Sequence, residues 1–297
     1  MISVIVPTRE REQKLLRLLE SIEAQDCDKN NFEVIVVNDG THYESMTAKN
    51  RFSMRVNYFE IEGVGPAGAR NFGVDNSIGD ILAFIDDDCV ALKQWITKID
   101  NFFKKDGNKN FVAVGGGVKP LIHNKRIVNA YLSYIKFLDG PIENDGKITN
   151  MATANLAVRR SAFYDVGGFT KEMRHGEDEN LVWKLSRNGI AKFDCNNSVL
   201  HDNDITFRQF YKKYKGYGSG VRMHCKLSGE KLKEDSVYFL YCSKKIDLIK
   251  KMNIIVSRGK KRVREGEDYK SISFFQKCFF IFLSITQEYC VQKGSII

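Results

Sequence analysis

Apolar and polar positions alternate with two different periods along the first 120 residues. Short apolar runs predict strands at Ile2–Val6, Glu33–Val37, Val56–Ile61, Ile81–Ile85 and Phe111–Val114. Between the first two, Arg11–Glu23 places Leu15, Leu16, Leu18, Leu19 and Ile22 on one side of an amphipathic helix. Gly63-Val64-Gly65-Pro66 opens a second helix through Asn71 to Asp75, and Lys93–Phe103 gives a third. This alternation predicts an α/β fold with a mainly parallel central sheet, whose chemistry lies in the loops beyond the strand ends. After Gly115-Gly116-Gly117 the pattern loosens into a helix over Ile127–Leu138, a strand over Met151–Val158 and a helix over Glu177–Asn188. Gly189 ends that helix, and Ala191–Cys195 and Ser198–His201 read as short extended pieces. From residue 205 onward the pattern is helical and basic, and no internal repeat interrupts it.

Composition narrows the class. The chain has 297 residues, 43% of them hydrophobic and 28% charged, with four prolines. That is enough for a full core, and it excludes collagen-like, disulfide-scaffold and disordered chains. The net charge of +9 is uneven: residues 1–204 hold 26 Lys and Arg against 29 Asp and Glu, while residues 205–297 hold 20 against 8. A near-neutral body and a basic tail predict a catalytic domain over 1–204 and a basic helical region over 205–297 drawn to something anionic. Seven cysteines, odd in number and without a CxxC pair, are expected as reduced thiols in a cytoplasmic protein. Met1 leads straight into a strand-like run, with no secretory signal pattern. The longest apolar stretch, Phe274–Ile285, is interrupted by Gln276 and Lys277 and falls short of the ~20 residues that span a bilayer.

Three clusters carry candidate chemistry. In Ile81-Leu82-Ala83-Phe84-Ile85-Asp86-Asp87-Asp88 an apolar strand runs directly into three carboxylates, which repel one another unless they share a cation. At the end of a central parallel strand this favours a divalent-metal site, with hard oxygen ligands suited to Mg2+ or Mn2+, over a solvated acidic turn. Glu177-Asp178-Glu179, preceded by Gly167-Gly168-Phe169 and Arg174-His175-Gly176, opens a helix. Carboxylates there either complement the helix dipole or supply a general base. His201 reads as structural unless the acidic turn holds a metal. No GxxxxGK[ST] is present and no GxGxxG follows the first strand, so Walker-type and dinucleotide-dehydrogenase phosphate cradles are missing.

Taken in order, Ser3-Val4-Ile5-Val6-Pro7-Thr8, Glu33-Val34-Ile35-Val36-Val37-Asn38-Asp39-Gly40, Ala69-Arg70-Asn71-Phe72-Gly73, Asp86–Asp88, Gly167-Gly168-Phe169 and Glu177-Asp178 resemble family 2 (GT-A fold) glycosyltransferases. The resemblance implies an inverting, metal-dependent transferase that uses a nucleotide-sugar, a UDP-sugar before others. It assigns Pro7, Thr8, Glu10 and Asp39 to the uridine pocket and Arg70 to the neighbourhood of the base, although Asn38 stands where the family usually has Asp. Asp86 and Asp87 join the nucleotide contacts, with Asp86 at the ribose or a metal-bound water. Asp88 would ligate a divalent Mn2+ or Mg2+, with His201 as a second ligand. Asp178 would be the base that deprotonates the acceptor, and an ordinary carboxylate pKa suffices because the proton leaves late. Glu177 goes with the donor sugar. Asn155, within Thr149–Arg160, would hydrogen-bond a sugar hydroxyl, the alternative being a buried strand before a basic helix start.

The tail interleaves aromatics with cations in Phe207-Arg208-Gln209-Phe210-Tyr211-Lys212-Lys213-Tyr214-Lys215-Gly216-Tyr217-Gly218. Similar segments follow the core in relatives that act on lipid-linked acceptors. Lys244-Lys245 and Arg258–Arg264 continue the charge before the Phe-rich stretch, an arrangement suited to peripheral contact with the anionic inner face of a membrane. The alternative packs that stretch on the body or on a second copy. The acceptor is expected to be a glycan, a lipid-linked glycan or a peptide. A nucleotidyltransferase on a related sheet is disfavoured by Pro7-Thr8-Arg9-Glu10 in the first loop. A non-catalytic RNA or anionic-surface binder leaves Asp86–Asp88 and Asp178 unexplained, and nucleic acid is not expected as a partner.

Overall fold

The computed structural model describes residues 1–42, 52–105, 107, 109–121, 126–136, 138–144, 146–229, 248–266 and 269–296, so Lys244 and Lys245 lie outside the described residues. The chain forms two compact units, Met1–Leu121 with Leu138–Asp202, and Ile122–Phe137 with Asn203–Ile297.

The first unit is built on a twisted sheet. Its elements in chain order are β1 (Ile2–Thr8), α1 (Glu12–Glu23), β2 (Phe32–Asn38), β3 (Val56–Glu60), α2 (Gly65–Asp75), β4 (Ile81–Phe84), β5 (Cys89–Ala91), α3 (Trp95–Lys104) and β6 (Phe111–Pro120). After α4 (Ile127–Tyr134), which belongs to the other unit, come β7 (Ile142–Asn144), β8 (Lys147–Asn150), β9 (Leu156–Arg159), α5 (Arg160–Asp165), α6 (Glu177–Asn188) and β10 (Ile190–His201). Eight strands pair in the order β3-β2-β1-β4-β9-β6-β10-β5, and β7-β8 is a separate hairpin. The pairs around β1 and the β6–β10 pair are parallel, while β9 runs antiparallel to β4 and β6, and β5 antiparallel to β10. Strands β1, β2 and β4 are buried almost throughout, as strands covered on both faces must be. Alternate residues feed two layers: Val4 and Val6 pack with Leu15, Leu19 and Trp95, whereas Ile5 packs with Val74, Leu181 and Leu185. Each such side chain contributes about 1.5–3 kcal/mol on burial.

Where the observed elements differ from the predicted ones, side-chain contacts decide. The strand expected over Met151–Val158 is a 3-10 turn at Thr153–Asn155 followed by β9. The two pieces expected after Gly189 are one strand, β10, with a register shift between Asp194 and Ser198. Strand β6 continues through its glycines to Pro120, because a Cβ on Gly116 would stand 1.9 Å from the Asn197 carbonyl oxygen and 2.3 Å from Asn155 Nδ2.

The second unit is helical, comprising α4, α7 (Phe207–Ser228), α8 (Leu248–Arg264) and α9 (Phe274–Ile296). Thr206 starts α7 through a reciprocal capping box with Gln209. Tyr131, Phe210, Tyr214, Phe280 and Leu283 form its core. The helix expected to reach Leu138 stops at Tyr134, and Lys136 takes a left-handed conformation at φ 48°. Helix α9 runs 23 residues, burying Phe280, Leu283 and Cys290 while leaving Phe274 82% and Phe275 71% exposed. Among the described residues no helix is long and apolar enough to cross a membrane.

Candidate active site

Parallel pairing aligns Thr8 with Asn38 and Ile5 with Phe84, so the loops after β1, β2 and β4 leave the sheet at one edge. There β4 delivers Asp86, Asp87 and Asp88 into a turn closed by the Cys89 amide donating to the Asp86 carbonyl. Two cations hold the turn. Arg11 forms an ion pair through Nη2 with Asp87 Oδ1 at 2.7 Å and donates through Nη1 to Asp88 Oδ2 at 2.7 Å, and Thr8 Oγ1 donates to Asp87 Oδ2 at 2.7 Å. Burial nevertheless pushes the Asp87 carboxyl up to about 7, against the pull of Arg11. Arg70, buried on α2, donates to Asp86 Oδ1 and to Glu177 Oε1, each at 2.8 Å, and lies 5.5 Å from the Phe169 ring centroid. It ties the acidic turn to the start of α6.

Two separated motifs meet here for a physical reason. Asn71, beside Arg70, donates through Nδ2 to the Phe169 carbonyl and accepts from the Phe169 amide. Gly167 and Gly168, at φ 73° and 63°, make the left-handed turn that presents those groups. Gly176, at φ 72°, then opens α6 so that Glu177 faces Arg70. Asp178 Oδ1 accepts from the Glu179 amide at 2.9 Å. Its carboxyl is pushed up to about 7, chiefly by burial and then by the neighbouring charge of Glu177, with the Glu179 hydrogen bond and Arg70 opposing. The fold thus raises this carboxyl above the ordinary pKa that a late proton transfer would need.

His201 reaches the turn through the sheet. Antiparallel pairing of β10 with β5 sets it opposite Cys89, and the Asp202 amide donates to the Asp88 carbonyl. Its ring is buried, with Nε2 3.4 Å from Asp88 Oδ1, longer than an ordinary hydrogen bond, and Nδ1 without a hydrogen-bond partner among the described residues. Ligand atoms of Asp86, Asp88 and His201 lie within 4.8 Å of one another. Two carboxylates and an imidazole suit a divalent cation such as Mn2+ or Mg2+, so the residues fit the metal that the sequence motif implies.

The remaining expected site residues divide. Pro7, half-buried, and Thr8 end β1 at this edge, while Glu10 is exposed at φ 55°. Asp39 accepts from the amides of Val64 at 2.9 Å and Gly65 at 2.7 Å. Gly63-Val64-Gly65-Pro66-Ala67-Gly68 reads as GxGxxG, yet the helix end it opens already has an anion in Asp39. Asn155 stands apart from the expected sugar contact. Its Oδ1 accepts from Trp95 Nε1 at 2.8 Å, and Nδ2 donates to the Gly117 and Asn197 carbonyls at 3.0 and 2.8 Å. With both donors engaged and burial at 3% exposure, its amide joins α3, β6 and β10. Arg11 is the site residue that sequence reasoning missed. The signal was the three carboxylates themselves, which require nearby cations.

The profile of Glycosyl transferase family 2 matches residues 3–167. A relative from Haloferax volcanii, glycosyltransferase AglE, is 30% identical over 74% of this chain and 72% of its own. The chain belongs to glycosyl transferase family 2. Pre-mycofactocin glycosyltransferase of Mycobacterium tuberculosis is 26% identical over 74% of this chain, which spans 46% of that relative's length. The sheet is a GT-A fold. The mannosyltransferase PcManGT of Pyrobaculum calidifontis, solved with GDP-Man and Mn2+, superposes over 97% of this chain and 86% of its own, with a TM-score of 0.63 and 15% identity. Residues 1–349 of S. aureus TarS, solved with UDP, superpose over 99% and 90%, with a TM-score of 0.54 and 16% identity.

Proposed function

We propose that this family 2 enzyme transfers a sugar from a nucleotide-sugar, a UDP-sugar before others, to an acceptor hydroxyl with inversion at the anomeric carbon. The observation that carries the reading is the bridge that Arg70 makes between Glu177, the residue before Asp178, and Asp86, beside the Asp86, Asp88 and His201 ligand set. A base and a diphosphate-binding centre are thereby held in one rigid frame. Asp178 takes the acceptor proton as the acceptor oxygen attacks the face opposite the departing nucleoside diphosphate. A carboxyl poised at about 7 is a stronger base than an ordinary carboxylate and is still half ionised at neutral pH. Asp86, Asp88 and His201 would hold Mn2+ or Mg2+, which supplies Lewis-acid stabilisation of the leaving diphosphate. Arg11 and Arg70 keep the carboxylates oriented, and Pro7, Thr8 and Asp39 line the nucleoside side. Relatives solved with UDP and with GDP-Man and Mn2+ support this assignment of donor class and metal.

The acceptor is a glycan, a lipid-linked glycan or a peptide, at the inner face of a cell membrane. The exposed Phe274 and Phe275, on a unit rich in Lys and Arg, support peripheral contact there. The test is a pair of substitutions. Asp178→Asn lowers kcat by about 10²–10⁴-fold while UDP and Mn2+ binding persist, whereas Asp88→Ala weakens Mn2+-dependent UDP binding itself. Full turnover in Asp178→Asn overturns the assignment of the base.

A further inference from the structure

Within the helical unit, the end of α4 and the helices α8 and α9 enclose a groove of about 500 Å3. Its charged lining is Lys136, Arg258, Lys261 and Arg262 against Glu265 and Glu288. Three of these, Arg258, Lys261 and Arg262, come from one helix, with Lys261 and Arg262 three and four residues after Arg258, so α8 turns a single basic stripe toward the groove. Gly259 lets that stripe lie close to α9, because a Cβ there would stand 3.0 Å from the Ile285 amide nitrogen.

The carboxylates are already used. Arg262 pairs with Glu288 and also reaches Ser284 Oγ at 3.3 Å, and Lys261 pairs with Glu265 at 3.6 Å. Arg258 has no such partner: its Nη1 is buried without a hydrogen-bond acceptor among the described residues. A guanidinium N–H taken out of water with no acceptor is costly, and a ligand that supplies one recovers that cost. Lys136, held in its left-handed turn, adds a further cation to the groove wall.

We infer that this groove binds a phosphate or diphosphate group, with Arg258 as its principal contact and Lys136, Lys261 and Arg262 completing the charge. Phosphate oxygens match the fork of a guanidinium and balance an excess of two positive charges, which a single carboxylate does not. Single-stranded RNA is the weaker match, since it needs exposed aromatic faces, and the Tyr134 hydroxyl at this groove is committed to the Val263 carbonyl at 2.6 Å. A soluble phosphate ester and the headgroup of an anionic lipid share the required chemistry.

Isothermal titration of the full chain with inorganic pyrophosphate, in EDTA at fixed salt, tests the site apart from the catalytic one. Wild type binds, Arg258→Gln binds at least tenfold more weakly with an unchanged melting temperature, and Asp88→Ala binds like wild type. Equal affinity in wild type and Arg258→Gln, or no binding by wild type, overturns the proposal. So does loss of binding in Asp88→Ala, which would place the ligand at the acidic turn. If Arg258→Gln melts early, Lys261→Gln takes its place, its side chain being 72% exposed. A threefold or greater loss then supports the site, and equal affinity overturns it. Flotation with phosphatidylcholine vesicles, with and without phosphatidic acid, separates the sources. Arg258-dependent flotation that pyrophosphate displaces identifies a lipid headgroup, and pyrophosphate binding without flotation identifies a soluble phosphate. RNA that binds where pyrophosphate does not overturns the assignment.

Discussion

Asp178 owes its basicity to two causes acting in one direction: burial that disfavours its charge and Glu177 that repels it. In the proposed mechanism kcat/KM therefore rises with pH to a half-maximum near 7 and levels above it, measured under subsaturating donor and acceptor. The same shift has a stability consequence of definite sign. A carboxyl raised from 3.8 to about 7 in the fold binds its proton more tightly when folded, so its contribution is intact below pH 4 and is lost as pH rises through 7. Asp178→Asn keeps an oxygen for the Glu179 amide but carries no charge. It should be more stable than wild type at pH 8 by about 2 kcal/mol, allowing for partial exposure, and equal to it near pH 4, by urea denaturation. Arg70 is the opposite case, a buried cation bridging two carboxylates. Arg70→Met leaves both unpaired and costs ~3–5 kcal/mol in the same assay, while Arg70→Lys recovers part of that but cannot reach both carboxylates with a fork.

Elements are joined by single polar side chains as much as by apolar layers. Asn155 connects α3, β6 and β10, and the missing Cβ of Gly116 in β6 leaves room for its approach. Asn155→Ala strands the Trp95 indole N–H and two carbonyls, for a loss of about 2–4 kcal/mol in denaturant unfolding. Because the residue holds the frame, KM for the donor should move little in the surviving folded fraction. A residue bonded to the sugar would instead raise KM with modest loss of stability. The element boundaries follow the same logic. Strands β1, β2 and β4 and helices α1 and α6 match the apolar periods, since burial on fixed faces is written locally in the chain. The turn at Thr153–Asn155 and the bulge in β10 do not, because both are set by contacts with distant carbonyls and strands.

For the whole molecule, the charge split of the chain corresponds to two kinds of electrostatic task. In the sheet unit the negative charge gathers at the acidic turn, so a ligand that brings a divalent cation should stabilise that unit. UDP at 100 times its Kd with Mn2+ adds ~2.7 kcal/mol to its unfolding, and EDTA or Asp88→Ala removes the gain, read by thermal denaturation at fixed UDP. In the helical unit the excess is positive, and part of it lines the α8 groove. The linear sequence was enough for the α/β class, the order of most elements, the acidic turn, the Glu177–Glu179 helix start and the basic tail. Each of these is a local pattern of period or charge. It could not tell that Arg11 and Arg70 neutralise that turn, that Asn155 is spent inside the fold, or that Asp178 is raised to near neutrality. Those depend on distances between groups as far as 107 positions apart, such as Arg70 and Glu177, and such distances are set only when strand order and sheet pairing bring the chain together.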